Sequence, residues 1–238
     1  MDTEKIWNDG EWTEDARQII DGLKEFPDNS KIILILRHSH RNEPTALETA
    51  QKLRLTPQGH AIAEKFGEGL PISRTIRLFH SVIWRCEETA VNIHNGFKKI
   101  GGESEFLEIF EPLHNMGINN RVVLKKFKNY KFREIMYLWA VGFFHSKDWE
   151  PFISYCQNTA QLISKHLKDA PEKGINIYIT HDWHLMSLRF GWFGLPPDLQ
   201  WVKFLGGFAF IFEDDHFLLL ERDELKSVQA PHWWKSNF

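Results

Sequence analysis

The feature that most constrains this chain is Lys31-Ile-Ile-Leu-Ile-Leu36, followed without a break by Arg37-His38. Five consecutive apolar, mostly β-branched residues cannot alternate between core and water. Such a run fits a central strand covered on both faces. Ile175-Asn-Ile-Tyr-Ile-Thr180 reads the same way. Strands are also expected at 76–80 and 105–110, and a hairpin at 208–212 and 216–220 around Glu213-Asp214-Asp215. That makes about six strands. Between them lie helical patterns: 14–26 with Ile19, Ile20, Leu23 and Phe26 on one face, a second helix opened by Thr56-Pro57, and others at 84–99, 151–169 and up to 193. Alternating strand and helix predict an α/β fold, a three-layer α/β/α sandwich with a mostly parallel central sheet. One domain over 1–238 accommodates it, with a cap insertion at about 112–150, where the sequence turns basic, aromatic and weakly periodic.

Charge and cysteine content narrow the function. Lys and Arg number 29 against 32 Asp and Glu, a net charge of −3, which speaks against binding nucleic acid through a strong positive field. The 2 cysteines, Cys86 and Cys156, are no disulfide framework and suit a reducing cytoplasm. The acidic start Met1-Asp2-Thr3-Glu4 and the shortness of the first apolar run indicate neither signal peptide nor membrane anchor.

Parallel sheets bind ligands beyond the carboxyl ends of their strands. After the first strand stands Arg37-His38-Ser39-His40-Arg41, after the second His80-Ser81 leading to Trp84-Arg85-Cys86, and after the fourth Thr180-His181-Asp182. Three arginines and two histidines on one rim make a cradle for phosphoryl oxygens, because guanidinium groups stay charged and offer forked donors.

These residues resemble the histidine phosphatase superfamily. The resemblance rests on Arg37-His38-x-x-Arg41, Leu55-Thr56-Pro57-Gln58-Gly59, Arg85-Cys86-x-x-Thr89-Ala90 and His181-Asp182, four motifs in the family's order at predicted element boundaries. The late His-Asp is similar to the acid phosphatase branch, on a phosphoglycerate mutase-like core. The resemblance implies phosphate monoester hydrolysis without cofactor or metal. His38 would be the nucleophile that becomes phosphorylated, and Arg37, Arg41, Arg85 and His181 would hold the non-bridging oxygens. Asp182 would be the proton donor, with Glu111 (or Glu108) as the alternative; Asn115 falls where the mutase branch carries its glutamate. The partner implied is a phosphorylated small molecule. The sequence departs from the pattern at Ser39, where the family usually has glycine, although serine could keep an N–H facing phosphate.

Other readings stay open. Arg85 could simply pair with Glu87 or Glu88, and His181 could be a buried structural histidine. His184 reads as packing or rim, and Cys86 as an inward-facing side chain. Arg121, Lys125, Lys126, Lys128, Lys131 and Arg133 form either a solvated helix face or a cap attracting polyanions. The Trp233-Trp234 tail packs on the domain or on a partner. A non-catalytic module binding phosphorylated ligands or proteins would keep the same residues. A metal-dependent amidohydrolase, with His38, His40 and Asp182 as ligands, would require an eight-stranded barrel.

Overall fold

The structure, a computed structural model, describes residues 2–44, 50–118, 125, 129–197 and 201–234. Helices α1 (Thr3–Asp9) and α2 (Glu14–Gly22) precede β1 (Ile32–Arg37). Then come α3 (Pro57–Gly69), β2 (Ile76–His80), α4 (Trp84–Lys99) and β3 (Ser104–Ile109). After these, α5 (Phe132–Ala140), α6 (Phe152–Lys168), β4 (Ile175–Thr180) and α7 (Asp182–Phe193) lead to β5 (Gly207–Glu213), β6 (His216–Glu221) and β7 (Glu224–Gln229). The sheet has seven strands in the order β3-β2-β4-β1-β5-β6-β7. Its β3-β2-β4-β1 half is parallel, and β5 to β7 add antiparallel strands beside β1.

The apolar run behaves as its composition requires. Every residue of β1 is buried. Ile32, Leu34 and Leu36 face a core built with Ile19, Phe66 and Ile93 of α2, α3 and α4, while Ile33 and Ile35 face the other core, with Tyr155, Leu188 and Trp192. Truncating one such side chain, Leu34→Ala for instance, removes about 3 kcal/mol of stability. Helices on both faces follow from strand order. The chain steps one way from β1 to β2 to β3 and reverses to reach β4, and right-handed crossovers taken in opposite directions lie on opposite faces.

Two elements go beyond the sequence reading. Strand β7 is a seventh strand where six were expected; its half-exposed, charged residues hide it from a search for apolar alternation, as befits a sheet edge. Helix α1 was likewise unforeseen. The expected helix 14–26 ends as α2 at Gly22 and continues as a 3₁₀ turn over Leu23–Glu25. The tail packs on the domain itself, with Trp234 fully buried and its ring 4.7 Å from that of Phe217. The open sheet also corrects the amidohydrolase alternative, since its strands form no (β/α)₈ barrel.

Register places the site. Arg37 lies opposite Thr180 and His80 opposite Ile179, so the three parallel strands end level with one another. The His38 N–H then donates to the Thr180 carbonyl (2.9 Å) and the Ser81 N–H to that of Ile179 (3.0 Å). Three loops emerge side by side at the point where strand order reverses. Among the described residues, no helix is long and apolar enough to cross a membrane.

Candidate active site

His38 is 2% exposed at the end of β1. Its Nδ1 lies 2.7 Å from the Ser39 carbonyl oxygen, an acceptor only, so this nitrogen carries the proton. Nε2 therefore holds a lone pair, and it accepts the Nε–H of Arg85 at 2.9 Å. Burial, then the charges of Arg85 and Arg37, push the His38 pKa well down, leaving a neutral imidazole ready to bond through Nε2.

The residue after it explains two sequence features together. Ser39 is fully buried; its hydroxyl donates to the Gly59 carbonyl (2.7 Å) and its N–H to Thr89 Oγ1 (2.9 Å). That N–H is spent inside the protein, which corrects the expectation that it faces phosphate. Thr56 caps α3 by accepting from the Gly59 N–H (3.0 Å). A Cβ at Gly59 would stand 2.2 Å from the His40 carbonyl oxygen, so the helix can rest on the histidine loop only through a glycine. The Leu-Thr-Pro-x-Gly motif is thus the seat of the His38 loop.

Arg85 joins two loops. Beyond His38, its Nη1 donates to the Ala50 carbonyl (2.9 Å) and its Nη2 lies 3.1 Å from Nδ1 of His181. The ion pair once open to it goes elsewhere, because Glu88 takes Arg54 (2.5 Å) and the Leu55 N–H (2.9 Å). With Nδ1 of His181 accepting, its Nε2–H faces Ser81 Oγ at 3.2 Å. The His38 and His181 rings stand 5.5 Å apart. Cys86 lies beneath them, buried, its thiol pKa pushed up to about 12 by burial, and serves as packing.

Arg37 is 9% exposed; its Nη1 donates to the Val202 carbonyl (2.7 Å) and its Nη2 meets Asp182 Oδ2 at 3.2 Å. Arg41 donates to the Asn42 carbonyl (2.7 Å) and approaches Glu43 at 3.5 Å. The Nε atoms of both arginines are buried without a hydrogen-bond partner. Such donors call for an acceptor, and with Arg85 they surround His38 with three positive charges.

Asp182 sits on the same rim, but its environment differs from that of a resting acid. Oδ1 accepts the Trp183 N–H (2.9 Å), and Oδ2 accepts the indole N–H of Trp201 (2.9 Å) as well as Arg37. Burial alone would raise its pKa; Arg37 and these hydrogen bonds outweigh that and hold it below the usual carboxylate value. Glu111 is exposed in a 3₁₀ turn, 3.4 Å from the Asn115 amide, and lines a cavity of 690 Å³ with Gln51, Val82, His114, Asn115 and His184. The Glu108 side chain falls outside the described residues, as do Arg121, Lys126 and Lys128. His184 is buried, 2.9 Å from the Tyr155 hydroxyl, its pKa pushed down to about 3 by burial and by His114.

His40 turns away from the cluster: its Nδ1 lies 2.8 Å from Thr56 Oγ1 and its ring against Trp12 and Phe204. Among the described residues, no three His, Cys, Asp or Glu side chains are grouped to hold a metal ion. The sequence reading missed Ser81, Trp201, Val202 and Phe204 as parts of the site. Only the pairing of β5 with β1, which sets Gly207 opposite Leu36, brings residues 201–206 to Arg37.

No family model matches the chain, and no curated protein matches it by sequence. Its likeness is to solved structures. Phosphoserine phosphatase from Entamoeba histolytica, in complex with phosphoserine, is 16% identical with TM-score 0.52, over 82% of this chain and 98% of that one. A mycobacterial glucosyl-3-phosphoglycerate phosphatase complexed with VO3 is 13% identical with TM-score 0.54, over 85% and 100%. Bacillus stearothermophilus YhfR is 15% identical with TM-score 0.54, over 83% and 98%. These neighbours are histidine phosphatase/phosphoglycerate mutase-like proteins, and at such identities the likeness establishes a shared fold.

Proposed function

We propose that the protein is a phosphatase that hydrolyses phosphate monoesters of small molecules through a phosphohistidine on His38. The observation that carries this reading is the His38 Nε2 lone pair held among Arg37, Arg41 and Arg85, two of which keep a buried Nε–H without a partner. Arriving phosphate supplies the missing acceptors and draws the Arg85 Nε–H away from Nε2. Nε2 then attacks phosphorus in line, forming the N–P bond as the ester P–O bond breaks. The arginines and the His181 Nε2–H stabilise the charge on the non-bridging oxygens. Water next attacks the phosphohistidine, its proton passing to the carboxylate that protonated the leaving oxygen; the N–P bond breaks and inorganic phosphate leaves with His38 regenerated.

A proton must reach the leaving oxygen, and we assign this donor role to Asp182. It stands beside Arg37, and a phosphate dianion that engages Arg37 and adds negative charge raises the pKa of the carboxyl. Glu111 is the alternative donor. In this reading the leaving alcohol occupies the cavity lined by Gln51, Glu111, His114 and Asn115, and a cap drawn from about 112–150 of the same domain is proposed to close over it. A reducing cytoplasm suits the two buried free cysteines.

Two observations favour a second reading, a phosphate-binding module without turnover: the Arg85 N–H already occupies the nucleophile's lone pair, and Asp182 is held ionised. The two readings part in one assay. A phosphatase of this kind hydrolyses an aryl phosphate in excess chelator and is blocked by vanadate. It carries an acid-labile, base-stable phosphoryl label that His38→Ala abolishes. Phosphate binding with no turnover on a panel of phosphorylated metabolites, beginning with phosphoserine, would establish the module instead.

A further inference from the structure

Residues 201–206 cross the mouth of the site and touch its charged groups at nearly every step. Trp201 donates to Asp182 (2.9 Å), the Val202 carbonyl accepts from Arg37 (2.7 Å), and the Leu205 N–H donates back to the Arg37 carbonyl (3.2 Å). Leu205 does so in the left-handed region (φ 54°), a strained conformation for a residue with a side chain, kept here by full burial. The bend turns Phe204 inward. Its ring centroid lies 4.3 Å from Arg37 Cζ, 5.7 Å from the His38 ring and 5.1 Å from that of His40, and Trp12 meets it edge-on at 6.2 Å.

We infer that Phe204 is a positioning residue: its ring fixes the plane of the Arg37 guanidinium and shields His38 from water. This rests on the phosphatase reading of the same site. A guanidinium is planar, and with its central carbon seated over an aromatic ring it has little freedom to turn that plane. The Val202 carbonyl and Asp182 use two corners of that plane, which leaves the buried, unpartnered Nε–H to an incoming anion. The ring also excludes solvent from His38, whose other neighbours are Arg37 and Arg41 of its own loop, Arg85 of α4, His181 after β4 and the Ser39 carbonyl. Leucine is shorter and has no aromatic face, so it neither seats the guanidinium nor covers His38, whereas tyrosine keeps the ring.

The experiment compares full-length wild type, Phe204→Leu and Phe204→Tyr, all first checked for equal thermal midpoints. Vanadate binding is measured by calorimetry, and the His38 ring is titrated by ¹⁵N NMR. Phe204→Leu should weaken vanadate binding about fivefold, with kcat/KM falling at least as far, and the His38 midpoint should rise toward that of a solvated histidine. Phe204→Tyr should restore both. A folded Phe204→Leu protein that binds vanadate as wild type does, with His38 titrating unchanged, would overturn the inference. Wild type that neither binds vanadate nor hydrolyses esters would reject the phosphatase reading, and the His38 titration alone would then decide the role of Phe204.

Discussion

Arg85 reaches His38 with its Nε–H, 2.9 Å from Nε2, and reaches His181 with Nη2, 3.1 Å from Nδ1. One guanidinium therefore sets the spacing of both histidines and leaves α4 to do so. A lysine ammonium is a point donor on a flexible stem and cannot span the two rings. Arg85→Lys should fold but lose about 10²–10³ in kcat/KM for phosphate esters. Steady-state kinetics beside a thermal melt test this, and a loss below about threefold would remove Arg85 from the catalytic assignment.

The donor can be identified through the leaving group. Asp182→Asn should cripple hydrolysis of alkyl phosphates by about 10²–10⁴ while sparing p-nitrophenyl phosphate, whose leaving group departs as an anion. Trp201→Phe frees Asp182 from one hydrogen bond that lowers its pKa, and should move the alkaline limb of the pH–rate profile upward. If Glu111→Gln shows the leaving-group dependence and Asp182→Asn does not, Glu111 is the donor.

Stability should fall on mild acidification. His38 and His184 are buried and neutral, with folded pKa values pushed below that of the unfolded chain, His184 to about 3. Below about pH 6.5 the unfolded chain takes up protons that the native state refuses, so unfolding is favoured as pH drops. One pH unit lower, each histidine costs about 1.4 kcal/mol. Together they should lower Tm on the order of 5–10 °C between about pH 8 and about pH 5.5. Asp182 has the opposite pattern: its depressed pKa stabilises the fold above about pH 4 and the contribution disappears only on further acidification. A scan in which His184→Gln leaves the slope of Tm against pH unchanged would contradict this account.

The contact of α3 with the histidine loop admits no side chain at Gly59. Gly59→Ala should cost about 1–3 kcal/mol and reduce turnover, because the atom in the way is the backbone oxygen of His40. Ser39→Gly, which loses the 2.7 Å bond to the Gly59 carbonyl, should cost about 1 kcal/mol and keep turnover within severalfold. Urea unfolding and initial rates measure both. Equal stability of Gly59→Ala and wild type would show that the loop yields.

The sequence by itself determined the layered architecture and which strand ends carry the arginines and histidines. A run such as Ile32 to Leu36 can be satisfied only between two apolar layers, and the parallel strands it implies must deliver Arg37, His38, Arg85 and His181 to one rim. These are local consequences of hydrophobic pattern and chain direction. Tertiary structure alone decided what each group does there. That Glu88 takes Arg54 and frees Arg85, that Ser39 spends its N–H on Thr89, and that Arg37 and Trp201 hold Asp182 ionised all depend on partners 19 to 145 residues apart, fixed by packing. The same holds for Phe204, which reaches Arg37 because β5 runs antiparallel to β1, and for β7, whose polar edge pattern resembles a loop until β6 supplies its hydrogen bonds. Hydrophobic periodicity is written along the chain; hydrogen-bond and ion-pair choices are settled only when competing partners are brought within about 3 Å of each other.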